Sequence, residues 1–325
     1  MLNRKTYLVA TLLFAWLSAF SQKPTALIFD TDIGPDYDDV GAMALLHAFA
    51  DKGQVKILAT VASNKHPLVG PTIEILNRYF KRPSLPIGEP KTAGVNVGGF
   101  QHWADTLVAR YPHRLQQTAD AQDATALYRK LLAEQPDNSV TIVTVGFLTN
   151  IANLLQSKPD HYSPLYGNVL VAKKVKQWVA MAGRFPEGRE FNIFMDSTAS
   201  AYAIDHFPKP IIFSGFEIGA AVKTGLKLVA KGQPNSPVRE VFRISIPMAD
   251  EDKNGRMSWD QTATLAAAQG AEPYFELKKG RFVTIPSGRN GWKDDPKGPH
   301  YRLVFKQTPQ QVAEAIEALM MHQPK

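Results

Sequence analysis

The sequence predicts an α/β fold: an open, largely parallel sheet, mixed at one edge, with helices on both faces and a small β-hairpin and helix appended at the C-terminus. Two observations carry this. Five short apolar runs, residues 26–29, 55–62, 140–146, 175–183 and 210–215, are continuous rather than alternating, the pattern of strands buried on both faces. Segments of helical period separate them, at 39–52, 68–81, 121–135, 147–156 and 196–206, so strand and helix alternate as a parallel sheet requires.

The first strand is "ALIF" (26–29), and the acidic stretch "DDVGAMALLHAF" after it opens a helix. "VKILATVA", "VTIVTVG", "VKQWVAMAG" and "PIIFSG" supply the next strands. The pattern changes near the end of the chain. "YFELKKGRFVTI" (274–285) predicts a hairpin turning at Lys279-Gly280, followed by the polar, Gly- and Pro-rich loop "PSGRNGWKDDPKGPH". "YRLVFK" predicts a further strand, and a last helix starts near Thr308-Pro309, with Thr as N-cap and Pro in the first turn. There is no repeat and no low-complexity linker, so residues 22–325 are expected to form a single domain.

The composition narrows the possible classes. A chain of 325 residues with 44% hydrophobic content has enough apolar material for a large core. Residues 1–21 differ from the rest. Arg4 and Lys5 precede "TYLVATLLFAWLSAF", with small residues Ser18, Ala19 and Ser21 at its end, as in a cleaved secretory signal peptide. The apolar run is short of the ~20 residues that span a bilayer, so the expectation is a secreted or periplasmic protein without a stable membrane anchor. The formal charge is +7, or +5 without Arg4 and Lys5, spread along the chain with no basic run, which argues against nucleic acid as a partner. There is no cysteine, hence no disulfide, thiolate nucleophile, zinc–cysteine site or lipoprotein anchor.

The chemistry starts at "ALIFDTDIGPDYDDVGAMALL" (26–46). Asp30, Asp32, Asp36, Asp38 and Asp39 crowd the end of the first strand, the rim where ligands bind in open parallel sheets. Asp38 and Asp39 fall in the first turn of the following helix, where its positive end offsets on the order of 1 kcal/mol per charge. Five carboxylates need more than that, and a hard divalent cation such as calcium or magnesium supplies it. The cluster alone names no reaction, since a haloacid dehalogenase-type phosphotransferase also opens with a strand and an Asp-x-Asp pair.

Other stretches narrow the choice: "ATVASNKH" (59–66), "VTVGFLTNIANLL" (143–155), "GREFNIFMDSTAS" (188–200) and "SWDQTATLAAAQG" around Asp260. In this order and spacing the chain resembles the inosine–uridine-type nucleoside hydrolase family from about residue 25 to 320, with "DTDIG…DD" and "EFNIFMD" the most specific parts. The resemblance implies the Rossmann-like nucleoside hydrolase fold and calcium-dependent cleavage of an N-riboside to free base and ribose. It implies Asp32, Asp39, Asp260 and the Val145 carbonyl as metal ligands, and Asp32 as general base for the attacking water. It implies Asp38, Asn64, Glu190 and Asn192 as residues that hold the sugar, Asp30 as a brace behind them, a nucleoside or related N-riboside as partner, and a homodimer or homotetramer.

The chain also departs from the family pattern. The usual Asp-x-Gly-x-Asp-Asp is here Asp32-Ile33-Gly34-Pro35-Asp36-Tyr37-Asp38-Asp39, two residues longer, which leaves Asp36 without a role. Purine-cleaving members carry a leaving-group His before the last metal-binding Asp; Trp259 stands there, able to stack on a base but not to protonate it. His102, in the Gly-rich loop "GVNVGGFQHWADTL", is the candidate acid in its place. "GRFPEGR" lacks an asparagine that many members place before Glu190; Arg184, Glu187 and Arg189 are the residues available there. These departures keep a second class open, a calcium- and ribose-binding protein without turnover.

Overall fold

The computed structural model describes residues 23–324, so the signal-peptide expectation for residues 1–21 lies outside the described residues. Among the described residues thirteen strands occur in chain order: β1 Thr25–Thr31, β2 Val55–Ala62, β3 Ile87–Glu89, β4 Gln122–Asp123, β5 Val140–Thr144, β6 Val175–Met181, β7 Glu187–Arg189, β8 Ile211–Ser214, β9 Lys223–Thr224, β10 Arg256–Met257, β11 Phe275–Ile285, β12 Arg289–Asp294 and β13 His300–Phe305. Eleven of them form one sheet in the order β4-β3-β2-β1-β5-β6-β8-β13-β11-β12-β7, and β9 and β10 form a separate pair. Pairing is parallel from β4 through to β13 and antiparallel among β13, β11, β12 and β7. The expected parallel sheet with one mixed edge is therefore what the chain forms.

Each face of the sheet carries its own apolar layer. Phe29, Val143 and Val179 belong to one, beneath the helices Asp38–Asp51, Trp259–Gln269 and Pro309–Met320. Ile28, Ile142 and Trp178 belong to the other, beneath Ala124–Glu134, Thr149–Gln156 and Ser197–His206. Neighbouring residues of one strand thus enter opposite layers, as a two-residue period dictates. The helix Asp38–Asp51 is buried from Asp38 to Phe49 on every side, so its acidic first turn is fixed in the protein interior. The last helix begins as expected: Thr308 Oγ1 accepts from the Gln311 N–H, and Gln311 completes a capping box.

One expected element is corrected. Residues 274–285 do not turn at Lys279-Gly280; β11 runs unbroken through Gly280. Its first half pairs with β13 and its second half with β12, and Gly280 is the residue where the partner changes. A Cβ there would collide with the Trp292 ring and come within 2.6 Å of the Lys293 carbonyl. The glycine serves close approach rather than a turn. The polar stretch expected as loop contains β12, which links β11 to the edge strand β7.

Candidate active site

The C-terminal ends of β1, β5 and β6 open into a cavity of about 480 Å³ lined by Asp32, Asp38, Val145, Glu190, Trp259 and Asp260 among others. The site is built where β1 runs out. Asp30 faces away from it, sharing a sheet face with Ile28, and accepts from Tyr128 Oη at 2.9 Å and Asn150 Nδ2 at 3.1 Å. Burial pushes its carboxyl up to about 7. It ties the end of β1 to the helix layer behind. Thr31 Oγ1 donates to Asp39 Oδ1 and accepts from the Ile33 N–H, which holds the turn against the next helix.

Asp32 lies at the close approach of two loops. A Cβ on Gly146 would collide with the Asp32 N–H and lie 2.7 Å from Asp32 Cβ, so only glycine lets the β5 loop pack there. The Val145 N–H donates to Asp30 O at 2.8 Å, which ties the β5 loop to the end of β1, and Val145 lines the same cavity as Asp32. Asp260 enters from the first turn of the helix Trp259–Gln269, and its own N–H donates to Asp38 Oδ2 at 3.2 Å.

Asp32, Asp39 and Asp260 are all nearly inaccessible. Burial first, and then neighbouring carboxylates, push each of them well above the usual range. Asp39 Oδ2 is buried with no hydrogen-bond partner. An orphaned carboxylate oxygen among mutually repelling acids suits a hard, oxygen-binding cation. Among the described residues no group of three or more acidic or histidine side chains is arranged to hold a metal ion. Asp38 is drawn off by a counter-ion, and one expected ligand, the Val145 carbonyl, is main chain.

That counter-ion is Arg256, which the sequence reading missed. Its Nη2 donates to Asp38 Oδ1 at 2.9 Å and to Asp36 Oδ2 at 2.6 Å, and its Nη1 lies 3.7 Å from Asp252. The guanidinium sits 4.8 Å from the Tyr37 ring centre and 5.0 Å from that of Trp259. Tyr37 Oη in turn donates to Asp252 at 2.7 Å. Asp36, on the lengthened loop, thus gains a partner in Arg256. The signal available in the sequence was the unmatched acid itself, since a surplus buried or half-buried carboxylate calls for a cation.

The remaining expected residues divide. Glu190 lines the cavity and caps the helix Phe191–Met195. Its Oε1 accepts from the Asn192 N–H, and its Oε2 from Gly183 and Ile193, so most of its acceptor capacity is used. Asn192 donates to Met181 O at 3.1 Å and more weakly to Val145 O, and its amide oxygen takes no bond within the described residues. Trp259 lines the cavity, tilted against Phe216 with ring centres 5.1 Å apart, and its indole N–H donates to Phe216 O at 2.8 Å.

Two placements differ from expectation. Asn64 does not line the cavity, and its amide is spent on main chain. Nδ2 donates to Asp32 O at 3.0 Å and Val97 O at 2.8 Å, while Oδ1 accepts from His66 and Val97 N–H groups. It braces the Asp32 turn against the Gly-rich loop. Asn64→Ala is expected to destabilise the fold by about 2–4 kcal/mol, because several buried main-chain groups lose partners together. Urea denaturation of the variant checks this; unchanged stability would contradict the brace.

His102 is likewise not among the cavity residues. Its side chain is 77% exposed, with Nδ1 3.4 Å from Asp105, and it borders a separate cleft of about 200 Å³ with Gly98 and Gly99. It is the exposed Phe100 of the same loop that reaches the cavity. No histidine lines it.

With this geometry in hand, similarity to known proteins is decisive for the family. The family model described as inosine-uridine preferring nucleoside hydrolase matches residues 27–297. The chain belongs to that family. It is 25% identical over 187 residues to the inosine-uridine preferring nucleoside hydrolase of Crithidia fasciculata, a match covering 54% of this chain and 56% of that protein. It is 28% identical over 202 residues to the pyrimidine-specific ribonucleoside hydrolase RihA of Salmonella paratyphi B, covering 59% and 61%. The chain therefore matches somewhat over half the length of these curated relatives. Structural likeness extends further: a purine-preferring ribonucleoside hydrolase from Gardnerella vaginalis superposes with a TM-score of 0.71 at 14% identity, over 91% of this chain and 98% of that one. The inosine-uridine preferring nucleoside hydrolase from Bacillus anthracis gives 0.68 at 16%, over 91% and 99%. These likenesses establish the nucleoside hydrolase fold.

Proposed function

We propose that this chain hydrolyses the N-glycosidic bond of ribonucleosides, releasing free base and ribose, with calcium as cofactor and Asp32 as general base. The observation that carries this is that Asp32 and Asp260 line one cavity while the buried Asp39, whose Oδ2 has no hydrogen-bond partner among the described residues, repels both, in a chain of this family. Asp32, Asp39, Asp260 and the Val145 carbonyl would hold the cation. When bound, it supplies Lewis acidity to the attacking water and charge compensation to the floor.

The chain's own groups do the rest. Asp32 takes the proton from water as the water oxygen bonds to C1′. The surrounding carboxylates favour the positive charge that develops on the sugar ring as the C1′–nitrogen bond loosens. Asp38, fixed by Arg256 and the Asp260 N–H, and Asn192, with a free amide oxygen, receive ribose hydroxyls. Trp259 and Phe216 offer ring faces to the base. No imidazole lines the cavity, so the departing base takes its proton from elsewhere and rates rise with the acidity of the leaving group. That same lack favours one second reading, a ribose-binding protein without turnover. We further propose that the activity is exported, and that the protein works as a homodimer or homotetramer.

The test is sugar release from inosine, uridine and nitrophenyl riboside by chelator-stripped protein, followed by titration with calcium and, separately, magnesium. The expected result is loss of cleavage on stripping and recovery with calcium, fastest on nitrophenyl riboside. Full activity after exhaustive chelation would contradict the cofactor assignment.

A further inference from the structure

The cavity has two electrically opposite ends. Its floor is acidic, whereas Arg189 lines it from the β7 edge, with the exposed Glu251 also in the lining and Arg184 and Arg289 nearby but outside it. Arg189 lines the cavity, its guanidinium carbon 3.2 Å from the centre of the Phe194 ring. Arg184 lies 4.6 Å over Phe216, another lining residue. Arg289 stands directly opposite Arg189 in the β12–β7 register. All three are exposed, and among the described residues none has an ion pair.

Directly opposed like charges destabilise a strand pair. Glu187, on the same face of β7, and Glu217, near Arg184, pair with none of the three. An anion between Arg189 and Arg289 would offset the repulsion, and guanidinium forks match phosphate oxygens in shape and charge. Phe191, 44% exposed, and Phe100, 67% exposed, stand beside them as open ring faces.

We propose that the rim is a phosphate subsite and that the preferred substrates are ribonucleoside 5′-monophosphates. This rests on the hydrolase reading above. With the sugar diol at the acidic floor, two ribose substituents remain for the mouth, the base at C1′ and the group at C5′. The rings serve the base, and Arg189 with Arg289 receives the 5′-phosphate. The cavity, at about 480 Å³, falls within the ~300–1,000 Å³ of small-molecule sites. The reaction balances as simple hydrolysis: the C1′–nitrogen bond breaks, water oxygen bonds to C1′, and one water proton goes to the base. The products are free base and ribose 5-phosphate.

The test compares kcat/KM of the calcium-loaded protein for uridine against uridine 5′-monophosphate, and for inosine against its monophosphate. The monophosphates are expected to be favoured by about tenfold or more, a difference of ~1.4 kcal/mol. Arg189→Gln and Arg289→Gln should each bring the paired substrates together, and Arg189→Lys should keep part of the preference. Cleavage of the nucleosides without any advantage for the monophosphates overturns the subsite while leaving the hydrolase reading intact. If nothing is cleaved, the hydrolase reading fails and calorimetric binding decides the subsite. Tighter binding of the monophosphate than of the nucleoside, weakened by Arg189→Gln, supports it; equal binding overturns it.

Discussion

Asp32→Ala is expected to lower kcat on any ribonucleoside by about 10²–10⁴, the contribution usual for a placed general base. The same substitution should not weaken the fold of the metal-free protein. Asp32 sits among Asp36, Asp38, Asp39 and Asp260, and burial and repulsion already hold its carboxyl well above the usual range. Removing one like charge relieves repulsion, while the main-chain carbonyl of Asp32 keeps its bond from Asn64. Thermal melting in chelator checks the second half and steady-state kinetics the first. Retained turnover would remove Asp32 from the base role, and collapse of the fold would show that its side chain is structural.

Arg256→Ala should have the largest effect on stability, about 3–5 kcal/mol, because it leaves Asp38 and Asp252 buried without a counter-ion. Asp36→Asn should cost far less. Asp36 is 44% exposed, so its bond to the buried Arg256 is only part-buried and water screens it more than the bonds to Asp38 and Asp252. Activity should fall in Arg256→Ala as well, since Asp38 loses the partner that fixes its carboxylate. Urea denaturation of both single variants and the double variant measures the coupling. Wild-type stability in Arg256→Ala would show that the guanidinium is not the counter-ion of the cluster.

Much of this architecture was legible because the central strands are apolar on both faces. Runs such as 55–62 need no partner information to be recognised, and β2 covers those same residues. The acidic rim stood out for the reverse reason, since five carboxylates at a strand end repel one another, although Asp30, Asp36 and Asp38 prove to have structural partners. What escaped depends on contacts distant in sequence. Gly280 reads as a turn until Trp292 is seen to occupy the space of its missing Cβ. β12 is polar because it lies near the open edge of the sheet, where alternation and apolar content both fade. Arg256 lies more than two hundred residues from Asp36 and Asp38, and nothing in "GRMSWD" marks it as a counter-ion. Asn64 shows how residue type misleads: an amide suited to hydroxyls is equally suited to main chain, and here four main-chain groups claim it. His102 carries the right chemistry but sits on the outer side of its loop, where Asp105 meets it.

The cavity, on the proposed function, breaks a C1′–nitrogen bond with water. This is tested by chromatographic product analysis of inosine, uridine and uridine 5′-monophosphate incubated with the calcium-loaded protein. Free base is expected, together with ribose or ribose 5-phosphate. Substrates recovered intact while still binding to the protein would contradict it and leave a binding protein in its place.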